Sequence, residues 1–228
     1  MDMYFVIIAI TMGLSWLVSN TLKSRFKEYS SIPTRSGLSG AEIAQKMLND
    51  NGIYDVKVTA VRGQLTDHYN PTNKTVNLSE WVYGQSNVAA AAVAAHEVGH
   101  AIQHATAYSF LTFRSKMVPV VSISSRILQW VLMGGIVLFV SSGIPWLLAI
   151  GIGLFAVTTL FAFVTLPVEF DASNRALVWL NSANITTGQE HEKAKGALKW
   201  AAMTYVVAAI GSLAQLLYFA SILLRGRN

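Results

Sequence analysis

Apolar residues along this chain fall into two kinds of pattern. Four runs are almost continuously apolar: Met3 to Val18, Val118 to Val140, Trp146 to Leu166 and Ala201 to Leu224. A helix rises about 1.5 Å per residue, so roughly 20 apolar residues cross the hydrocarbon core of a bilayer, and each run approaches or exceeds that length. Between the first two runs the pattern changes. Ile43, Met47 and Leu48 recur at helical spacing, Ser39 stands at a cap position with Glu42 three residues on, and Gly52 follows, which predicts a helix over Ser39 to Asn51. Alternation comes next. Val56, Val58 and Val61 suggest a strand, while Leu65 to Tyr69 and Lys74 to Leu78 flank Asn70-Pro71-Thr72-Asn73 and predict a β-hairpin. From Ser86 to Ala107 alanine dominates without an intervening proline, which predicts a second helix directly after the hairpin.

Composition places these elements in a membrane. With 53% hydrophobic and 13% charged residues, the 228-residue chain is too apolar for an ordinary water-soluble domain of its size. The expected fold class is a mainly α membrane protein with about four transmembrane helices and a small α+β domain between the first two. No basic residue precedes the first run and no small-residue cleavage site follows it, so residues 1–20 are expected to stay as an anchor helix. Lys23, Arg25 and Lys27 follow that run, and Arg114 and Lys116 precede the second, which assigns residues 21–117 to the cytoplasm. The uncharged connection Ser141 to Pro145 then lies outside, and residues 167–200 return inside within a 118–228 segment of three spans. Fourteen of the seventeen Lys and Arg residues fall in the two inner segments, while Arg225 and Arg227 fall outside, against the rule. The formal charge of +5 does not indicate a nucleic-acid partner, because the basic residues sit at membrane boundaries and form no stripe interleaved with aromatics.

The candidate chemistry lies in the alanine-rich helix, as His96-Glu97-Val98-Gly99-His100. Residues four apart share one helix face, so His96 and His100 can offer two imidazoles to a single ion, with Glu97 beside them as a base for the water that a catalytic zinc keeps. Gly99 keeps that face narrow. The absence of cysteine excludes thiolate ligands and disulfides, so nitrogen and oxygen must hold any metal. A third protein ligand is needed. His104 lies about 12 Å along the helix axis from His96, too far to share the ion, and reads as a residue at the boundary of the site. Glu169, where the third span ends, is the better choice, with Asp171 as the alternative; Glu190, His191 and Glu192 read as the acidic first turn of the helix after Thr186 or Thr187. Four spans bring Glu169 back to the side of His96. His68, Tyr69, Arg175, His191 and Tyr205 are candidate donors to a developing oxyanion. Thr75, Val76, Asn77 and Leu78 are expected to form an exposed edge strand that binds an extended peptide by main-chain hydrogen bonds.

Nearly the whole chain resembles the YugP-like bacterial membrane zinc metallopeptidases, themselves distantly similar to the HtpX and CAAX prenyl protease type. The resemblance rests on Leu65-Thr66-Asp67-His68-Tyr69, on Val93 to His104, on Leu166-Pro167-Val168-Glu169-Phe170 and on the four-span layout. It implies a zincin-like domain with a gluzincin-type site: one zinc per chain on His96, His100 and Glu169, and Glu97 as catalytic acid and base. It further implies a multi-pass protein of the bacterial cell membrane, acting at the cytoplasmic face on a protein or peptide substrate associated with the bilayer. One departure stands out. The related proteases place an Asp four residues after the ligand Glu, where it can orient a metal-binding His, and here that position is Ser173. Orientation is therefore expected from elsewhere, with Asp171 and Asn174 as candidates.

The competing class is a non-catalytic membrane protein that holds zinc structurally, as a sensor or as a transporter. A structural site closes with four protein ligands and has no use for an unligated Glu in the motif, and a transporter needs ionisable groups deep in its spans. The assigned topology makes a direct prediction. Cysteines introduced at Asn49 and at Ser182 should both be protected from an impermeant thiol reagent in intact cells, against a background free of native cysteine. Labelling of one position and not the other would put Glu169 and His96 on opposite sides of the membrane and exclude a shared ion.

Overall fold

The computed structural model describes residues 2–225, so that Arg227 lies outside the described residues. Ten elements follow in order: α1 (Asp2–Ser30), α2 (Gly40–Asp50), β1 (Lys57–Val61), β2 (His68–Asn70), β3 (Thr75–Ser79), α3 (Glu80–Tyr83), α4 (Val88–Ala105), α5 (Ser109–Ser142), α6 (Trp146–Ser182) and α7 (Gln189–Arg225). The four long helices, α1, α5, α6 and α7, are each long and apolar enough to cross a membrane. All four continue as helix beyond the apolar runs, because polar continuations carry local support such as Arg25 with Glu28 and Arg175 with Asp171.

Packing divides the chain into two units. The first holds α1 up to Leu17, α5 from Phe113, α6 up to Leu166 and α7 from Thr204. Some of its contacts are close. A Cβ on Gly135 would lie 2.7 Å from the Leu148 backbone, and Tyr4 stacks on Tyr218 with centroids 5.2 Å apart. Large apolar side chains such as Trp130 and Val140 remain about three-quarters exposed, at 76% and 77%. Leaving that much apolar surface in water is unfavourable at roughly 25 cal/mol per Å², whereas lipid accepts it without penalty.

The second unit comprises Val18–Thr112 and Pro167–Met203. Helix α2 begins as its sequence dictates: the Ser39 side chain accepts from the Glu42 amide, the Glu42 carboxylate accepts from the Ser39 amide, and Gly52 leaves the helix at φ 69°. The sheet has the order β1-β3-β2, with β1 parallel and β2 antiparallel to β3. The β2–β3 hairpin closes through Asn70, whose Oδ1 accepts from the amides of Thr72 and Asn73 at 2.9 and 3.2 Å. Strand β2 starts later than the alternation suggests. Gly63 and Leu65 both take positive φ, and the Asp67 carboxylate accepts from the Ser79 amide at 2.7 Å, so the chain bends through 62–67 before pairing.

This order corrects the expected edge strand. Thr75, Val76, Asn77 and Leu78 lie in β3, the middle strand, with both flanks of the main chain taken by β1 and β2. Asn77 also bonds across both neighbours, accepting from Thr59 Oγ1 at 2.8 Å and donating to the His68 carbonyl at 3.4 Å. No peptide can add to β3 by main-chain pairing. Parallel return of β1 is a long-range event that alternation cannot reveal.

Helix α4 runs through the core of this unit. Asn87 caps it, its Oδ1 accepting from the Ala90 amide at 2.9 Å, and Ala89 to Ala92, Ala94, Ala95 and Val98 are fully buried. A helix apolar on nearly every side must be enclosed, and its alanines let Ile43 and Met47 of α2, Val76 of β3 and Leu180 of α6 approach closely. One close approach is at Gly99, where a Cβ would stand 2.6 Å from the Ala172 carbonyl oxygen of α6. Glycine inside a helix costs about 0.5–1 kcal/mol relative to alanine. Overpacking against backbone costs about 1–3 kcal/mol, so the close contact outweighs the local preference. Gly99→Ala should therefore lower the thermal unfolding midpoint of the detergent-solubilised protein; a midpoint equal to or above that of the unmodified chain would show that α4 and α6 have room to spare here.

Candidate metal centre

One face of α4 carries His96 and His100 a turn apart, their ring centroids separated by 4.8 Å and their planes close to perpendicular at 81°. Against this face α6 sets Glu169, almost fully buried. Its Oε2 lies 3.4 Å from His96 Nε2 and 3.7 Å from His100 Nε2. One ligand atom from each residue lies within 4.8 Å of the other two. Two imidazole nitrogens and a carboxylate oxygen are a donor set that suits zinc, and ligands at about 2.0–2.1 Å on a tetrahedron stand roughly 3.4 Å apart. The three residues present fit that ion. Burial alone lowers the pKa of His100, but its interaction with Glu169 and the charge of Glu97 outweigh this and leave the imidazole above its ordinary value. The same negative field favours a bound cation.

The Nδ1 atoms face away from Glu169 and find neutral partners. His96 Nδ1 lies 3.1 Å from Ser173 Oγ, and His100 Nδ1 lies 3.0 Å from Gln103 Oε1. Gln103, fully buried, donates through Nε2 to the Val168 carbonyl and to Asp171 Oδ2, each at 2.8 Å. Asp171 in turn accepts from Arg175 Nε at 2.6 Å. These contacts correct the expectation that Ser173 leaves the histidines to other residues: Ser173 itself reaches His96, Asp171 acts on His100 only through Gln103, and Asn174 is exposed. The signal was present in spacing. Gln103 stands three residues after His100 and Ser173 four after Glu169, on the same helix faces as those residues, but spacing along one helix does not show which side chain of the other helix lies opposite.

The remaining candidates sort by geometry. Glu97 is buried at 8% exposure, and among the described residues no hydrogen bond or ion pair engages its carboxylate. Asp171 stands outside the His96, His100, Glu169 cluster. His104 is exposed, its Nδ1 2.8 Å from the Tyr69 hydroxyl, and belongs to no ligand group. Of the candidate oxyanion donors, His68 Nδ1 bonds the Thr66 carbonyl at 2.8 Å, Arg175 is held by Asp171, and His191 lies 3.3 Å from Thr186 Oγ1 in the first turn of α7. Tyr205 falls in the other unit. Thr75, Val76, Asn77 and Leu78 are engaged within the sheet.

Comparison with known proteins agrees with this donor set. Residues 4–224 match the model of a family described as "Putative neutral zinc metallopeptidase". The chain is 43% identical over 227 residues to the "Putative membrane protease YugP" of Bacillus subtilis (strain 168), covering 99% of each sequence. No solved structure matches. A match over nearly every residue, together with two imidazoles and a carboxylate that fit zinc, places the chain in this zinc metallopeptidase family, whose similar member from Bacillus subtilis bears the name of a membrane protease.

Proposed function

We propose that the chain is a zinc-dependent endopeptidase of the bacterial cell membrane, with a zincin-like domain and gluzincin-type site facing the cytoplasm and hydrolysing peptide bonds in membrane-associated protein substrates. The observation that carries this reading is the convergence of His96 Nε2, His100 Nε2 and Glu169 Oε2, with Glu97, next to His96 in the chain, making no hydrogen bond among the described residues. A structural site would close on a fourth protein ligand. Here a second acidic group, Glu97, follows His96 directly in the chain and lies outside the ligand cluster, which suits a base.

In this reading His96, His100 and Glu169 hold one Zn²⁺, and Glu97 carries the proton. Bound zinc supplies Lewis acidity toward the scissile carbonyl and the attacking water. The Glu97 carboxylate removes a proton from that water and later delivers it to the departing amine, so bond cleavage and proton return use one side chain. No side chain among the described residues competes for this carboxylate by a hydrogen bond or ion pair, and α4 places Glu97 directly after His96. The second unit, which contains Val18–Thr112 and Pro167–Met203, is the proposed cytoplasmic part, supported by the basic residues that border the apolar runs. Glu169 follows the apolar run that ends at Leu166 by three residues, which suits a site close to the membrane surface.

Two outcomes test this reading. Replacing His96, His100 or Glu169 by Ala should each sharply reduce zinc content, measured by atomic emission on the purified full chain, because water does not replace a missing protein ligand. Glu97→Gln should retain one zinc and the wild-type unfolding midpoint while hydrolysis of a fluorescently labelled casein falls by roughly two to four orders of magnitude, since an amide cannot accept the proton. Wild-type turnover by the zinc-loaded Glu97→Gln protein would exclude the catalytic reading and favour a non-catalytic zinc protein.

A further inference from the structure

We infer that Gln103 is a positioning residue that fixes the tautomer of His100 and so leaves its Nε2 free for the metal; this rests on the zinc reading above. A primary amide has two hydrogens to donate and an oxygen to accept, and in a fully buried position each must find a partner. Gln103 Nε2 faces two oxygens, the Val168 carbonyl and Asp171 Oδ2, both at 2.8 Å. A carbonyl can only accept. Asp171 Oδ2 already receives Arg175 Nε at 2.6 Å, and a guanidinium can only donate, so the carboxylate serves as acceptor on both sides. Turning the amide over would set its oxygen against two oxygens. Its orientation is therefore dictated by α6.

The consequence reaches the site. With Nε2 committed, Gln103 Oε1 is the atom 3.0 Å from His100 Nδ1, and an acceptor there requires a hydrogen on Nδ1. Once the ring has given up its second proton, as a metal ligand must, it carries one N–H, so the Nε2 of His100 then keeps its lone pair, on the side of Glu169 Oε2 at 3.7 Å. The competing tautomer would place the hydrogen on Nε2, where it could bond the Glu169 carboxylate and occupy the position a metal needs. Gln103 disfavours that state. Ser173 at His96 imposes no such choice, because a hydroxyl can donate or accept. Val168 and Asp171 lie in the same turn of α6 as Glu169, so one turn supplies a ligand and both anchors of the amide that prepares another ligand.

The test uses the full chain in detergent. Gln103→Met keeps the side-chain length and removes the amide; zinc affinity, measured by chelator competition, should weaken about 10- to 100-fold, the range found when partners behind metal ligands are removed. The ¹⁵N shifts of the His100 ring in the zinc-free protein, recorded at a pH high enough to leave the ring neutral and assigned by comparison with His100→Ala, should move from the Nδ1–H form toward a mixture. Asp171→Ala, at a half-buried position, removes one anchor without emptying the core and should shift the same signals with a smaller loss of affinity; it decides the matter if Gln103→Met fails to fold. Wild-type affinity in a folded Gln103→Met protein, or an unmixed Nδ1–H signal in Asp171→Ala, would overturn the inference. If the unmodified chain binds no zinc, the earlier reading fails and takes this one with it; if it binds and Gln103→Met binds equally, only this one fails.

Discussion

The contact on which the rest of this molecule depends is the near-touching of two backbones, α4 at Gly99 and α6 at Ala172. A site that draws two nitrogens from one helix and an oxygen from another works only if the helices are held at a spacing defined to a few tenths of an ångström. Flexible side chains cannot define it. Backbone against backbone can, because neither surface can yield, and the space left for a Cβ at Gly99 ends 2.6 Å from the Ala172 oxygen. Gly99 falls between His96 and His100, and Ala172 falls three residues after Glu169, so this close approach lies where the donors meet. The alanines that precede the motif on α4 extend the same logic, letting α2, β3 and α6 enclose the helix.

Polar groups at this junction are almost completely accounted for. Ser173 and Gln103 take the outer nitrogens of the two histidines, Val168 and Asp171 take the amide hydrogens of Gln103, and Arg175 holds Asp171 from behind. Such closure is what burial demands, since an unpaired polar group in apolar surroundings costs a few kcal/mol. Glu97 departs from the rule. It sits between the two histidines in sequence, a mostly buried residue whose carboxylate makes no hydrogen bond or ion pair among the described residues and is not fully shut off from solvent. Departures of this kind, in a chain otherwise consistent from cap to core, concentrate at sites used for chemistry.

The long helices give the site its setting. Helix α6 is apolar up to Leu166 and then carries Glu169, Asp171, Ser173 and Arg175 within two turns, the helix continuing past Pro167, which lacks an amide hydrogen and so removes one bond from the ladder. That continuity is a physical reason for a metal ligand to follow directly upon a span rather than sit in a loop.

Much of this was determined by the sequence alone, and what it determined was local. The capping box at Ser39 and Glu42, the Asn70 turn, the four apolar runs and the pairing of His96 with His100 on one helix face all depend on residues within a few positions of one another, where helix and turn geometry leave little freedom. The tertiary structure decided everything that needed two distant segments to meet. Glu169 and Asp171 are two residues apart and point to different sides of α6; only the placement of α6 against α4 brings Glu169 to the histidines and turns Asp171 toward Gln103 and Arg175. The same holds for β3, whose alternation is that of an edge or a central strand alike until β1 pairs with it in parallel from 18 positions earlier in the chain. It holds as well for Ser173 and Gln103, whose roles arise from the partner each meets: Ser173 reaches back to His96 on α4, and Gln103, three residues from His100, is anchored by α6. Periodicity fixes which face of an element a residue occupies, whereas the identity of what lies opposite is set by long-range packing, which no spacing along one chain encodes.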